Sequence, residues 1–269
     1  MKLMVRVEPN VRVSLNVINP HGRKTIIFLH GWPANYELFE YQYNILPQKG
    51  YCCIGIDTRG FGDSDKPWNG YSYDRLADDV FEVIKYLNLD NVTLLGHSTS
   101  GGVAIRYMAR HEGCGISKLV LCAAAAPSLI ARPNFSQGQN VEVVNNIIKG
   151  AYKDRPKMLR NFGNTFFYSK VSPPLSDWLF EMGLKAASFA TIAIAKDWLV
   201  EELFDDMSRV YVPTLIMHGI HDKVCPFPLA EAQHEGIRNS TLIKFKNSGH
   251  GLFYDEMEKF NKELANFVD

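Results

Sequence analysis

The alternation of apolar and polar residues separates two kinds of predicted strand. Apolar and polar side chains alternate over Val11–Ile18, which is typical of a strand at the exposed edge of an antiparallel sheet. The sequence Asn-Pro-His-Gly at residues 19–22 is a turn cluster, so we expect a β-meander at the start of the chain. Later strands show little alternation, as expected where both faces of a parallel sheet are covered. They are predicted over residues 25–29, 51–56, 92–95, 118–122 and 214–217.

Helical periodicity fills the intervals between these strands. Apolar residues recur every three or four positions in segments that we predict as helices over residues 36–46, 73–87 and 101–111. A further strand over Ser240–Phe245 and an amphipathic helix over residues 254–268 are predicted near the end of the chain. Strands that alternate with helices predict an α/β fold with a mostly parallel sheet.

One long segment breaks this alternation. Residues 127–210 contain helix-like patterns at 141–152 and 178–190 and no convincing strand. We therefore predict a core formed by residues 1–126 and 211–269, interrupted by a helical lid at 127–210.

Composition and charge narrow the function classes. The 269 residues are 46% hydrophobic and 22% charged, as in ordinary globular proteins, and 29 Lys and Arg balance 29 Asp and Glu. Because a net charge of zero gives no long-range attraction to phosphate backbones or anionic lipid, we expect no nucleic-acid partner and no membrane partner. Arg6 and Glu8 interrupt the first apolar segment, which favours a cytoplasmic protein. The sequence leaves the oligomeric state open, and a homo-oligomer is compatible with it.

Neither a disulfide nor a bound metal is predicted. The five cysteines include no Cys-x-x-Cys pair, and three of them lie within apolar segments. His218, His221 and Asp222 place metal-ligand side chains in one loop, but no further ligand group follows at the spacing of a zinc site. We therefore expect no metal and no other cofactor.

Reactive side chains follow several predicted strands at the sheet edge where ligands bind in parallel sheets. Ser98 lies in Gly-His-Ser-Thr-Ser at residues 96–100, between a strand and a helix, which is the setting of a nucleophile exposed on a sharp turn. Asp222 follows the strand at 214–217, and His250 lies between two glycines after the strand Ser240–Phe245. We predict Ser98 as nucleophile, His250 as its general base and Asp222 as the carboxylate that orients His250. The simpler alternatives are a helix-capping serine, a turn-forming aspartate and a surface-loop histidine.

Two backbone amides and several aromatic side chains complete the predicted site. The amides of Trp32 and Thr99 are expected to form the oxyanion hole, the second because it opens a helix next to the nucleophile. The Trp32 ring is expected to form a wall of the substrate pocket. Phe135, Phe162 and Phe166 in the insertion are further pocket candidates, with packing in the core as the alternative for each.

With these residues in place, the sequence resembles the α/β-hydrolase superfamily, and within it the small serine esterases of the cofactor-free (non-haem) haloperoxidase or perhydrolase group. The resemblance spans nearly the whole chain. Beyond the triad it is carried by His-Gly-Trp-Pro at 30–33, Asp-Thr-Arg-Gly-Phe-Gly-Asp-Ser-Asp-Lys-Pro-Trp at 57–68, Gly-Tyr at 70–71, Tyr-Asp at 73–74, Gly-Gly at 101–102 and Arg-Tyr at 106–107. Ser100 departs from the usual Gly-x-Ser-x-Gly, and we expect it to fit while slightly loosening the packing of helix against strand.

The resemblance implies an eight-stranded α/β-hydrolase fold, a helical lid over an apolar acyl pocket, and no metal or haem. It also implies a carboxylesterase that acts on small esters through an acyl-enzyme, and perhydrolysis when hydrogen peroxide replaces water. Pro33 restricts the backbone of Trp32, and we hypothesise that the Trp32 carbonyl accepts a hydrogen bond from bound peroxide. The serine at 98 argues against the superfamily members that use a carboxylate nucleophile. A carbon-carbon bond hydrolase and a small-molecule receptor on the same fold remain open, as does the natural substrate.

Overall fold

The strands form a single mostly parallel sheet. A computed structural model describes residues 1–269 and orders the eight strands β1-β2-β4-β3-β5-β6-β7-β8. Only β2 runs antiparallel to its neighbours β1 and β4. This confirms the predicted fold class. The strand Val11–Ile18 is antiparallel as predicted, but its predicted position at the sheet edge is wrong, because it pairs with β1 on one side and with β4 on the other. The strands are β1 Lys2–Glu8, β2 Val11–Ile18, β3 Lys24–Leu29, β4 Tyr51–Asp57, β5 Val92–His97, β6 Ile116–Cys122, β7 Thr214–Gly219 and β8 Ser240–Phe245.

Eleven α-helices accompany the sheet. The predicted helices at 73–87, 101–111 and 141–152 agree with the structure to within two residues at each end. The helices are α1 Glu40–Tyr43, α2 Tyr73–Tyr86, α3 Thr99–Arg110, α4 Val141–Lys153, α5 Arg155–Gly163, α6 Pro173–Lys185, α7 Ser188–Asp197, α8 Phe204–Ser208, α9 Pro228–Gly236, α10 Leu252–Asp255 and α11 Met257–Val268.

Three predicted helices are interrupted in the structure. The segment 36–46 divides into a 3₁₀ turn, Tyr36–Phe39, and the short α1, and the segment 254–268 is broken at Glu256. The predicted helix over 178–190 is wrong across its middle, because α6 ends at Lys185 and α7 begins at Ser188. Between them the Ala187 amide donates to Gly60 O at 2.8 Å, a tertiary hydrogen bond that periodicity in the sequence does not report.

The core consists of two apolar clusters, and successive strand residues enter opposite ones. In β3, Ile26 and Phe28 belong to one cluster while Ile27 and Leu29 belong to the other. Both faces of the central strands are therefore buried, which explains why their sequences do not alternate.

The chain between β6 and β7 contains α4 to α8 and, apart from two isolated bridges, no strand pairing. No single helix reaches the length and apolar character needed to cross a bilayer. Only α6 and α7 taken together reach them, and these two meet at 91°.

Candidate active site

The turn between β5 and α3 places Ser98 in a strained backbone conformation. Its φ of 55° and ψ of −124° are rare for a residue with a Cβ and cost on the order of 1–3 kcal/mol. Glycines at 96 and 101 make this turn possible, since a Cβ at Gly96 would collide with the Ser100 backbone and one at Gly101 with Ala124. The Ser98 side chain makes no capping hydrogen bond to α3, so the helix-cap interpretation is wrong.

Ser100, the departure from the usual motif, is buried and hydrogen-bonded. Its hydroxyl donates to His30 O at 2.5 Å. This bond joins the first turn of α3 to the loop after β3 that also carries Trp32. The expected loosening at this position is therefore offset by a polar link between the two segments predicted to form the oxyanion hole.

Asp222 and His250 are hydrogen-bonded to each other in a fully buried setting. His250 Nδ1 lies 2.8 Å from Asp222 Oδ2, and His218 Nε2 lies 3.3 Å from the same oxygen. Asp222 Oδ1 accepts from the amides of Val224 and Cys225 at 2.8 and 2.9 Å. Burial raises the pKa of Asp222. The charge of His250 and the contact with His218 together lower it by a larger amount, so the pKa is below its usual range. The carboxylate is thus held ionised against the imidazole it orients.

Neighbouring rings fix the imidazole of His250. His97 Nε2 donates to His250 O at 3.1 Å, and the two imidazole centroids are 4.6 Å apart. Phe166 contacts His250 edge to face at 5.1 Å. Burial lowers the pKa of His97 well below its ordinary value, and the charge of His250 lowers it further, so His97 packs as a neutral ring.

The outer nitrogen of His250 is free of protein partners. Nε2 is buried and has no hydrogen-bond partner, and no hydrogen bond joins it to Ser98. Cys225 lines the same cavity as Ser98, and burial raises the pKa of its thiol well above the usual value. The structure therefore joins Asp222 and His250 by a direct hydrogen bond. Ser98 is bonded to neither of them, and it follows His97, whose ring packs against the ring of His250.

The two predicted oxyanion donors lie at the same cavity as Ser98. Trp32 and Thr99 both line it, and the Trp32 amide donates to no acceptor within the protein. The Thr99 amide is the first of α3, where no carbonyl of the helix lies one turn back to accept it. The Thr99 hydroxyl accepts from Trp198 Nε1 at 3.1 Å, and Trp32 Nε1 donates to Thr191 O at 3.1 Å.

A cavity of about 520 Å³ opens over Ser98. This volume is within the range of small-molecule sites. Of the predicted pocket residues, Trp32 and Phe162 line the cavity, and their rings meet edge to face at 5.0 Å. Phe135 and Phe166 do not line it. Phe135 packs against Phe204, and Phe166 lies behind the imidazole of His250, so both belong to the packed interior.

Sequence reasoning missed two residues of the cavity that touch the site. Cys225 follows Asp222 by three positions, and this proximity to a predicted triad member was the available signal. Trp198, which holds Thr99, lies in the insertion without any motif, so only the folded chain reveals it. His218 and His221, which follow the same strand, lie apart: His218 is buried 3.3 Å from Asp222, whereas His221 is exposed and its ring stacks on Tyr168 with centroids 4.0 Å apart.

Comparison with known proteins agrees with this geometry. Residues 24–142 match the model of the alpha/beta hydrolase fold family. The chain is 46% identical to the AB hydrolase superfamily protein YisY of Bacillus subtilis, over 98% of this chain and 97% of that protein. The chain belongs to the α/β-hydrolase family. The family assignment confirms the resemblance and makes this chain a member of a family of hydrolases.

Two relatives within the family carry more specific names. The chain is 31% identical to the bifunctional esterase/perhydrolase DCH of Acinetobacter calcoaceticus, over 93% of each protein. The solved structure of an esterase from Exiguobacterium antarcticum matches with a TM-score of 0.97 and 42% identity, covering 100% of this chain and 99% of that one. These comparisons support a hydrolase of the esterase and perhydrolase type.

Proposed function

We propose that this α/β-hydrolase is a serine carboxylesterase acting on small esters, with Ser98, His250 and Asp222 as its catalytic triad. The observation that carries the proposal is the buried hydrogen bond between Asp222 and His250 Nδ1, which leaves His250 Nε2 without a protein partner. Ser98, the proposed nucleophile, is held at positive φ. The buried rings of His97 and His218 also leave one nitrogen without a partner, so what distinguishes His250 is the 2.8 Å hydrogen bond from its Nδ1 to Asp222 together with the chain order of a serine triad. The free Nε2 is what a general base needs.

In the proposed reaction the Ser98 hydroxyl donates to His250 Nε2 when an ester binds. Ser98 Oγ attacks the carbonyl carbon while its proton passes to Nε2, and the amides of Trp32 and Thr99 donate to the resulting oxyanion. Collapse expels the alcohol, which takes the proton from His250. Water then gives a proton to His250 and attacks the acyl-enzyme. The second collapse releases the acid, and His250 returns its proton to Ser98 Oγ.

The decisive experiment compares the wild type with Ser98→Ala on p-nitrophenyl acetate and butyrate. We expect many turnovers by the wild type and a loss of at least about 10⁴-fold in kcat for the variant. A fluorophosphonate should label the wild type at the peptide containing Ser98. A single equivalent of p-nitrophenol per chain would favour a receptor, and turnover of a 1,5-diketone but not of esters would favour a carbon-carbon bond hydrolase.

Perhydrolysis is a second candidate activity, favoured by the environment of Trp32. The Trp32 carbonyl accepts no hydrogen bond within the protein, so it is available to a peroxide molecule. Hydrogen peroxide would attack the acyl-enzyme in place of water and release a peracid. Pro33→Ala should lower the ratio of peracid to acid formed from ethyl acetate and peroxide, while an unchanged ratio would dismiss the role assigned to the Trp32 carbonyl.

A further inference from the structure

The lining of the cavity differs between its floor and its mouth. The deeply buried part of the lining is mainly apolar and includes Trp32, Leu129, Val144 and Trp198, each at least nine-tenths buried. The exposed members of the lining are polar or charged, apart from Val143, and include Lys153, Asp154, Lys157, Asn161 and Lys223. A bound ligand would thus meet hydrocarbon at the reacting end and charged groups at the outer end.

Positively charged side chains outnumber negatively charged ones at the mouth of the cavity. Three lysines come from separate elements: Lys153 ends α4, Lys157 lies in the first turn of α5, and Lys223 follows β7. None of the three forms an ion pair, in contrast to Lys185 and Lys244, which pair with Glu37 and Glu231. Asp154 is the single carboxylate of the lining.

Asp154 already has a structural role. Its Oδ1 caps α5 by accepting from the Lys157 amide at 3.1 Å. Three ammonium groups and one carboxylate leave the mouth with two uncompensated positive charges, although the whole chain has a net charge of zero. A local excess of one sign at a cleft attracts ligands of the opposite sign.

We propose that the cavity selects esters that carry a carboxylate remote from the scissile bond, such as monoesters of dicarboxylic acids. The hydrocarbon segment would pack on the apolar floor, and the carboxylate would lie among Lys153, Lys157 and Lys223. This proposal rests on the proposed esterase function and specifies the substrate class of the same site.

Isosteric esters of different charge test the proposal. Monoethyl adipate, ethyl hexanoate and ethyl 6-aminohexanoate carry a negative, zero and positive charge on the acyl side. 4-Acetoxybutanoate and butyl acetate form the matching pair with the charge on the alcohol side. Acid release is followed at pH 7.5 in 20 mM and 300 mM NaCl. We expect kcat/KM to fall from anion to neutral ester to cation in at least one series, and the advantage of the anion to shrink at high salt because screening shortens the Debye length to below about 10 Å.

Charge-removing variants assign the effect to the mouth. Lys153→Gln, Lys157→Gln and Lys223→Gln should each raise KM for the anionic ester about 2- to 5-fold, and the triple variant should raise it further, while KM for the neutral ester should change by a smaller factor in each variant. Lys149→Gln is the matched control, because Lys149 is an exposed α4 residue that does not line the cavity and has no ion pair.

The outcomes separate the two proposals. If the wild type turns over none of the esters, the esterase function itself fails. If it turns over neutral esters while anions gain no advantage in either series, or if Lys149→Gln has the same effect as the three mouth variants, the anionic-substrate proposal is overturned and the esterase function stands. Folding is checked by circular dichroism for every variant.

Discussion

The parallel-sheet core and the helices between β6 and β7 differ in the hydrogen-bond partners that they provide for a buried carboxylate. In the core, Asp222 is fully enclosed, accepts from the His250 imidazole and two amides, and lies 3.3 Å from His218 Nε2. In the helical insertion, Asp197 at the end of α7 is partly buried and its Oδ2 has no partner. The core thus holds its charged group in one defined geometry. The insertion supplies cavity walls and exposed lysines, and its Asp197 is poorly solvated and has no ion-pair partner.

The two regions are nevertheless joined at the site. Hydrogen bonds link Trp198 to Thr99, Trp32 to Thr191, and the amide of Gly251 to Phe166 O at 3.0 Å. Each of these bonds lies next to a proposed catalytic group. The insertion is therefore attached where the chemistry would occur, and changes within it should reach the reaction through these contacts.

The largest predicted effect is in the core. Asp222→Asn removes the charge that orients His250, and we expect kcat to fall by about 10⁴-fold with little change in KM. Steady-state hydrolysis of p-nitrophenyl butyrate measures both constants. Phe162→Ala provides the contrast, because it alters a cavity wall in the insertion and should raise KM while leaving kcat within a few-fold. A loss of kcat in Phe162→Ala as large as that in Asp222→Asn would contradict the proposal that the core provides the catalytic groups and the insertion only the cavity wall.

The core could be predicted from the sequence because several signals coincide there. Buried strands such as β5 have unbroken apolar sequences, and the turn at Ser98 has glycines that its backbone requires. The chain order of Ser98, Asp222 and His250 follows from the order of strands in the sheet. The sequence did not indicate the hydrogen bond from Trp198 to Thr99, because rotamers depend on neighbours that only the fold brings together.

An intermediate effect is predicted where the two regions meet at Asp255. This side chain accepts from the amides of Gly249, Tyr168 and Ser169 at 2.8, 2.9 and 3.0 Å, and also from the Ser169 hydroxyl. It therefore ties the loop that carries His250 to the insertion. Asp255→Ala should lower kcat by about 10- to 100-fold, because small displacements of a catalytic group are costly.

Controls separate positioning from general stability at Asp255. Asp255→Asn keeps one acceptor oxygen and should recover part of kcat. Asp205→Ala removes an exposed carboxylate of the insertion that has no side-chain partner, and should leave kcat unchanged. If Asp255→Ala lowers the melting temperature and leaves kcat of the folded enzyme intact, the carboxylate has a structural role only.

The insertion was less predictable because its structure depends on tertiary contacts. The break between α6 and α7 is fixed by Arg155, which donates to Gly183 O and Ala186 O, and by the bond from Ala187 to Gly60. Phe135 and Phe166 pack in the interior and do not line the cavity. An aromatic side chain can line a pocket or fill a core, and the sequence alone does not distinguish the two.

The smallest predicted effect concerns the unpaired carboxylate of the insertion. Burial, with a smaller contribution from the charge of Glu201, raises the pKa of Asp197 from 3.8 to about 6. Because this pKa is higher in the folded than in the unfolded chain, the group's contribution to stability is complete below pH 4 and is lost as pH rises through 6. Asp197→Asn should therefore raise the free energy of unfolding at pH 7.5, relative to its effect at pH 4, by about 1–2 kcal/mol. Urea unfolding at both pH values measures this difference, and Asp205→Asn, on an exposed residue, should show none. An equal effect of Asp197→Asn at the two pH values would mean that Asp197 is solvated in the folded chain, and the contrast with Asp222 would then be one of hydrogen bonding alone.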